Sequence, residues 1–385
     1  MGSKKILFVD PMSRNNLGIY DKNLLSNLMG EKYFFASKGF QFNEISNTKI
    51  IHNYNYYKKR GMLKIFSYMH SQMKLFLWVL IHKPEIVHIQ WVKAPVLDMI
   101  VLFFMRFLSR KIKIVYTVHN LLPHDSFGKK IFYIYYVLYR LFDGIIVHAD
   151  RTKKELVNLF CIEEIIIKEI PHGVLKYEMN EINHRMYPNK IVFSMTGILN
   201  YYKGVDILID AWTSNKALIE NDNIHLIIAG TGNILIEKIP EKCNITIINR
   251  FLTDREYQNI INSTDVGILP YRQISQSGVL LSLLAEHKPV IVSDYGGLTQ
   301  PFKIGRVGWV LNDLSAQTLS ELIVDIIRKR EELTNIKNDK NLWGKIDNYY
   351  SWENIGKMTL DFYDSLFSGY SCKTSVLQEY PAYKI

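Results

Sequence analysis

The chain has 385 residues, 48% hydrophobic and 22% charged, enough for two domains with separate cores and too apolar for a disordered chain or a lone binding module. Its three cysteines, Cys161, Cys243 and Cys372, show no C-x-x-C spacing, which argues against a disulfide framework or a zinc knuckle and fits a reducing, cytoplasmic setting. Residues 1–176 hold 26 of the 47 Lys and Arg but 13 of the 37 Asp and Glu, so this half carries +13 against −3 in the rest. A basic half calls for an anionic partner: a phosphate-bearing substrate, a membrane surface or nucleic acid.

From the N-terminus, MGSKKILFVD runs straight into a strand without a signal peptide's apolar core. Apolar runs at Ile6–Val9, Ile86–Ile89, Ile112–Val118, Gly144–His148 and Ile165–Ile170 predict strands. Between them, Met62–Ile81, Val96–Leu108 and Lys130–Leu141 have helical periodicity. No stretch reaches the roughly 18 uncharged apolar residues of a spanning helix, since Asp98 and Arg106 interrupt Ala94–Leu108. Strands spaced by such helices predict βαβ units and a parallel sheet. Lys176–Lys190 is polar and aperiodic and reads as a linker, placed at 177–189 between an N-terminal domain (1–176) and a C-terminal one (190–345). The second series has strands at Ile191–Thr196, Ile224–Ala229, Ile245–Ile248, Asp265–Leu269 and Pro289–Val292. Its helices fall at Val205–Trp212, Asp254–Asn262 and Gly278–Ala285. Two Rossmann-like α/β domains facing each other across a cleft follow. SWENIGKMTLDFYDSLF (351–367) begins with a Ser cap and carries an apolar helical stripe; it predicts a last helix crossing back to the first domain, with a tail up to residue 385.

In open parallel sheets ligands sit beyond the carboxyl ends of the strands, facing helix N-termini. In the second half, TGILNYYKGVDILIDAW (196–212) brings Gly197, Asn200 and Lys203 to such a turn, where a lysine ammonium can meet a phosphate. IIAGTGN (227–233) places Gly230 after a buried strand, and Arg250 follows the run Ile245–Ile248. YRQISQSGVLLSLLAEHKPVIVSDYGG (271–297) opens a helix at Ser277-Gly278, small residues that let an anion approach bare amides. In the first half, YTVHNLLPHDSFG (116–128) puts His119, His124 and Asp125 in one loop after a strand, suited to sugar hydroxyls or proton transfer. No third ligand of suitable spacing accompanies them, so no metal is expected.

These motifs together resemble a known family. GILNYYKGVDILIDA (197–211), LPYR (269–272), SGVLL (277–281) and KPVIVSDYGGL (288–298) are similar to the donor half of GT-B nucleotide-sugar glycosyltransferases of family 4. KPEIVHIQW (83–91), TVHNLLPHD (117–125) and PHGV (171–174) are similar to its acceptor half, in the same order. The resemblance implies that Lys203 neutralises the donor diphosphate and that amides at Ser277, Gly278, Val279 and Leu280 cradle phosphate and ribose. His119 would touch the transferred sugar, and the base would rest near Arg250 and Phe251. Gly18, Trp91 and His124 fall on the acceptor side. Many members carry two glutamates where Ile274 and Ser282 stand here, and an arginine three or five residues before the lysine, where this chain has Asn200 and Ile198. Arg250 or Arg272 is then the candidate for the second positive charge.

The resemblance implies retention at the anomeric carbon without a cofactor or metal, the donor being a UDP-, GDP- or dTDP-sugar. Inversion would call for Asp125 or His119 as base. The cationic, aromatic segments 58–80 and 129–142 fit an anionic bilayer at its cytoplasmic face and a lipid-diphosphate-linked saccharide acceptor, as in bacterial surface polysaccharide synthesis. An inactive scaffold for nucleic acid or a partner is the alternative from another class. The basic residues form no dense stripe with a reading motif, so nucleic acid is not an expected partner.

Overall fold

The computed structural model describes residues 4–109, 111–123, 128–174, 185–232, 239–240, 243–274 and 276–368. In the N-terminal half the strands are β1 (Lys5–Asp10), β2 (Glu31–Ser37), β3 (Thr48–Tyr54), β4 (Ile86–Ile89), β5 (Lys113–Val118), β6 (Gly144–Val147) and β7 (Ile167–Glu169). The helices there are α1 (Asn15–Ser26), α2 (Gly61–His82), α3 (Pro95–Leu108), α4 (Lys129–Leu138) and α5 (Asp150–Phe160). The C-terminal half has β8 (Ile191–Thr196), α6 (Val205–Thr213), α7 (Lys216–Ile219), β9 (Ile224–Ala229), β10 (Ile245–Ile248), α8 (Asp254–Ser263) and β11 (Val266–Leu269). It continues with α9 (Gly278–Ala285), β12 (Val290–Ser293), β13 (Gly308–Leu311), α10 (Ala316–Arg328), α11 (Arg330–Asn338), α12 (Lys340–Tyr349) and α13 (Trp352–Ser365).

Two all-parallel sheets result, ordered β3-β2-β1-β4-β5-β6-β7 and β10-β9-β8-β11-β12-β13. Parallel strands must be covered on both faces, and β1 shows how the sequence meets that demand. Alternate residues of KILFVD serve opposite faces: Leu7 and Val9 pack towards α2 to α5, while Ile6 and Phe8 pack towards α1 and α13. The first sheet is therefore completed by the last helix. The Tyr363 hydroxyl lies 2.6 Å from His88 Nδ1, and a Cβ at Gly356 would stand 2.3 Å from the carbonyl oxygen of Asn27 at the end of α1. In the C-terminal half a large core around the fully buried Trp212 and Phe193 covers one face of the sheet, and a smaller cluster of Val192, Ile227, Ala229 and Ile260 covers the other.

β2 and β3, absent from the predicted elements, extend the first sheet beyond β1. Lys32 makes β2 read as polar, yet it is buried, its Nζ donating to the carbonyls of Leu25 (2.8 Å) and Leu28 (2.6 Å) behind α1. The segment read as a linker lies largely outside the described residues, as do His124, Asp125 and the chain beyond Ser368.

Candidate active site

The C-terminal half contributes three turns at the carboxyl ends of β8, β9 and β11. Gly197 and Gly230 both adopt positive φ (+103° and +142°), and a Cβ on Gly230 would lie 1.8 Å from the Gly197 carbonyl oxygen. Only glycine lets these turns lie against each other. Leu199 bridges to Gly232, and the Gly232 amide donates to Asn249 Oδ1 at 3.2 Å, bringing in the turn after β10. Exposed Asn200 accepts the Lys203 amide (2.9 Å) through its carbonyl, and the short turn Tyr201–Lys203 aims the lysine inward.

Lys203 is 7% exposed. A Cβ on Gly197 would meet Lys203 Nζ at 3.0 Å and Val279 Cγ2 at 3.3 Å, so the ammonium lies beside the first turn of α9. Nζ stands 4.9 Å from the Tyr271 ring centroid, and no carboxylate pairs with it among the described residues. Burial without an anion pulls its pKa down to about 8. At α9 the Ser277 hydroxyl caps the helix by accepting the Leu280 amide at 3.2 Å, and the first intrahelical bond runs from the Leu281 amide to the Ser277 carbonyl. The amides of Gly278 and Val279 have no intrahelical acceptor, and the space a Gly278 Cβ would take is open. An ammonium and two helix-end amides converge there, an arrangement for a diphosphate.

The two arginines expected to add charge are otherwise engaged. Arg272 forms a two-pronged pair with Asp206 (2.8 and 2.7 Å), donates to the Tyr201 carbonyl (2.6 Å) and lies over the Tyr201 ring. Arg250 pairs with Glu256 and donates to the Phe251 carbonyl. Each guanidinium is paired with a carboxylate, whereas Lys203 has no such partner among the described residues. Phe251 is 86% exposed, a bare aromatic face beside the turn after β10. The positions of the missing glutamates offer no acid: Ser282 donates to the Gly278 carbonyl, and Glu286, past the far end of α9, accepts from Gln258.

Across the gap, the N-terminal half presents a cluster of imidazoles that the sequence reading found only in part. His119, His148 and His172 follow β5, β6 and β7, so adjacent parallel strands bring them together. His119 stacks on Trp91 (5.0 Å, 5° between planes), and the Tyr20 ring stands edge-on to it at 5.3 Å. Its Nε2 lies 3.2 Å from Gln90 Oε1, which makes Nε2–H the donor. His148 Nδ1 donates to the Ile170 carbonyl (2.8 Å), and His172 Nδ1 to that of Gly173 (2.8 Å). Burial, with neighbouring imidazoles, holds His119 well below its ordinary pKa and His148 at about 3; burial brings His172 to about 4. These rings are neutral hydrogen-bonding groups at physiological pH and poor proton stores. The signal that could have revealed His148 and His172 was their recurrence just beyond successive buried strands. Gly18 is not part of this surface: it is buried in α1, where a Cβ would stand 3.3 Å from the Phe40 ring. Trp91 is half-buried beneath His119.

The halves meet at this point. Gln276 Nε2, next to the α9 cap, donates to the His148 carbonyl at 2.7 Å, and Arg151 lies 4.0 Å over the Tyr295 ring. Among the described residues no group of three or more His, Cys, Asp or Glu is placed to hold a metal ion.

Comparison with known proteins agrees with this geometry. Residues 35–174 match the Glycosyltransferase Family 4 domain and residues 190–329 the Glycosyl transferases group 1 domain. An uncharacterized glycosyltransferase of Methanocaldococcus jannaschii is 26% identical over 239 residues, 57% of this chain and 59% of that protein's length. The crystal structure of Anabaena HepE in complex with UDP and glucose superposes with a TM-score of 0.65 at 15% identity, covering 94% of this chain and 100% of that one. Sucrose-phosphate synthase from Thermosynechococcus elongatus does so with a TM-score of 0.69 at 16% identity, covering 95% and 99%. At such identities the structural likeness is one of fold, and the two domain matches, in order along one chain, supply the family. The chain belongs to the GT-B glycosyltransferases, joining a family 4 N-terminal domain to a group 1 C-terminal domain.

Proposed function

We propose that this protein transfers a sugar from a nucleoside diphosphate sugar to a saccharide carried on a lipid diphosphate at an anionic membrane surface, with retention at the anomeric carbon. The observation that carries the reading is Lys203, a buried, unpaired ammonium beside the open N-terminus of α9. In the transfer the bond from C1 to the diphosphate oxygen breaks and a bond from C1 to an acceptor hydroxyl forms. Lys203 and the amides of Gly278 and Val279 stabilise the departing diphosphate, and a drier cleft strengthens each contact. The acceptor's proton passes to the leaving phosphate, so no enzymic carboxylate nucleophile is needed. His119, neutral and donating through Nε2, suits orientation of hydroxyls better than storage of a proton. Phe251 offers a stacking face for the base. UDP and UDP-glucose are bound by Anabaena HepE, which has this fold, and this favours a nucleotide sugar as donor.

The lipid-linked acceptor rests on a second feature. α2 and α3 pack side by side and expose Met62, Phe66 and Ile81 on one and Phe103, Phe107 and Leu108 on the other, all more than half exposed. Lys58, Lys59 and Arg60 flank the start of α2. No helix among the described residues is long and apolar enough to cross a membrane, and an apolar face with a cationic edge matches a helix pair lying in the interface of an anionic bilayer.

Thermal denaturation with UDP-, GDP- and dTDP-sugars tests the donor assignment. A donor at a hundredfold excess over its dissociation constant stabilises the fold by about 3 kcal/mol, and Lys203→Ala is expected to abolish the response to the best donor. An undiminished response in the variant would remove Lys203 from the site.

A further inference from the structure

A cavity of about 20 Å³ lies behind Trp91, between the ends of β1 and β4 and the helices α2 and α3. Its walls are apolar apart from Trp91, Gln72 and Asp98. The Trp91 indole Nε1 and the Gln72 Oε1 are both buried, and neither has a hydrogen-bond partner among the described residues. Their chemistry is complementary. An indole N–H can only donate. The Gln72 amide is fixed in orientation because its Nε2 donates to Asp98 Oδ1 (2.5 Å) and to the Tyr68 hydroxyl (3.0 Å), so Oε1 can only accept. The volume suits a single water, which needs roughly 10–15 Å³ of such space and at least two polar partners.

We propose that this cavity is a site for one ordered water molecule that accepts from Trp91 Nε1 and donates to Gln72 Oε1, making Gln72 and Asp98 positioning residues for His119. Asp98 holds the other end of the relay. Its Oδ1 also accepts from the Tyr68 hydroxyl (2.8 Å), and its Oδ2 accepts the amides of Lys93 and Ala94 (2.9 Å each), the segment directly after Trp91. One carboxylate thus ties α2, α3 and the end of β4 together, and the water ties the indole to them. Because His119 lies flat on that indole, its place in the cleft is set from the two helices whose outer faces are apolar. The positioning role rests on the transferase reading above; the water site does not.

The test uses the full chain labelled with 5-fluorotryptophan, the Trp91 fluorine signal being assigned by its loss in Trp91→Phe. Gln72→Leu removes the acceptor and is expected to shift that signal by more than its linewidth. With the best donor, Gln72→Leu is expected to lower kcat about tenfold with little change in donor KM. Asp98→Asn serves as the second variant if Gln72→Leu fails to fold, with the same direction of change. An unmoved Trp91 signal in a folded Gln72→Leu protein overturns the water site, and an unchanged kcat overturns the positioning role. If the parent protein turns over no nucleotide sugar, the transferase reading and the positioning role fall together, while the fluorine signal still decides the water.

Discussion

A lysine buried without an anion is a cost to the protein that a bound anion would remove. The pKa of Lys203 is depressed to about 8 by burial, so folding disfavours its charged form, and at pH 7 the side chain must either carry an unpaired charge or lose its proton. Stability linked to a depressed lysine is present at high pH and lost as pH falls through the folded value. Lys203→Met is therefore expected to raise the melting temperature of the ligand-free protein at pH 7, by about 1–3 kcal/mol of stability, while abolishing the donor response. The same linkage acts on binding: a diphosphate favours the ammonium, so donor affinity should be flat below pH 7 and weaken above pH 8 by up to about tenfold per unit. Titration calorimetry at several pH values checks this, and a pH-independent affinity would detach the lysine from the phosphate. Asp10 and Asp21 show the opposite sign. Both are about 1% exposed; burial raises Asp10 to about 6, while burial and the neighbouring Asp10 charge raise Asp21 well above the carboxylate range. Raised carboxyls contribute stability that is full at low pH and lost as pH rises through the folded values. The parent protein should thus lose more stability to urea between pH 5.5 and 8 than Asp21→Asn does, and equal losses would count against the buried acid pair.

At the level of elements, the site depends on how closely the turns after β8 and β9 approach, which no side chain at Gly230 would permit. Gly230→Ala would place a methyl carbon on the Gly197 carbonyl oxygen at a φ of +142°, and a cost of about 3 kcal/mol or more is expected. Because Lys203 is aimed from the first of these turns, the variant should also lose its donor response; an unperturbed melting temperature would show that the turns can part without loss. These elements were legible because each is a largely apolar run, interrupted only by Ser194 and Thr196 in one and His225 in the other, and closed by glycine, the pattern of a strand buried on both faces. β3 was not: it is an edge strand with both faces partly exposed, and TKIIHNY follows no clean period. The donor side of the site could be read from the order of Lys203 and Ser277-Gly278 along the chain. The imidazole cluster was read only through His119, since His148 and His172 lie 29 and 53 residues further on and only strand order makes them neighbours. Neither Arg250 nor Arg272 could be judged from sequence, because Glu256 and Asp206 claim them through local side-chain geometry.

For the whole molecule, a short cationic run and an exposed apolar helix meet at the start of α2. Apolar residues more than half exposed on two packed helices are costly in water unless something covers them, and Lys58, Lys59 and Arg60 add positive charge where that face begins. Each basic residue near an anionic surface contributes about 1 kcal/mol at modest ionic strength, so three together are worth roughly a hundredfold in affinity. Sedimentation with vesicles of phosphatidylglycerol and phosphatidylcholine is then expected to show binding that falls as the anionic fraction is lowered or salt is raised. Replacing Phe103 and Phe107 with serine should weaken binding at least tenfold at every salt concentration, because it removes apolar area rather than charge. Reversing Lys58, Lys59 and Arg60 to glutamate should instead remove the dependence on anionic lipid while leaving a residual apolar term. Neither set touches Lys203 or α9, so the thermal response to the best donor should survive in both; binding to neutral and anionic vesicles alike, or to neither, would show that this face meets something other than an anionic bilayer.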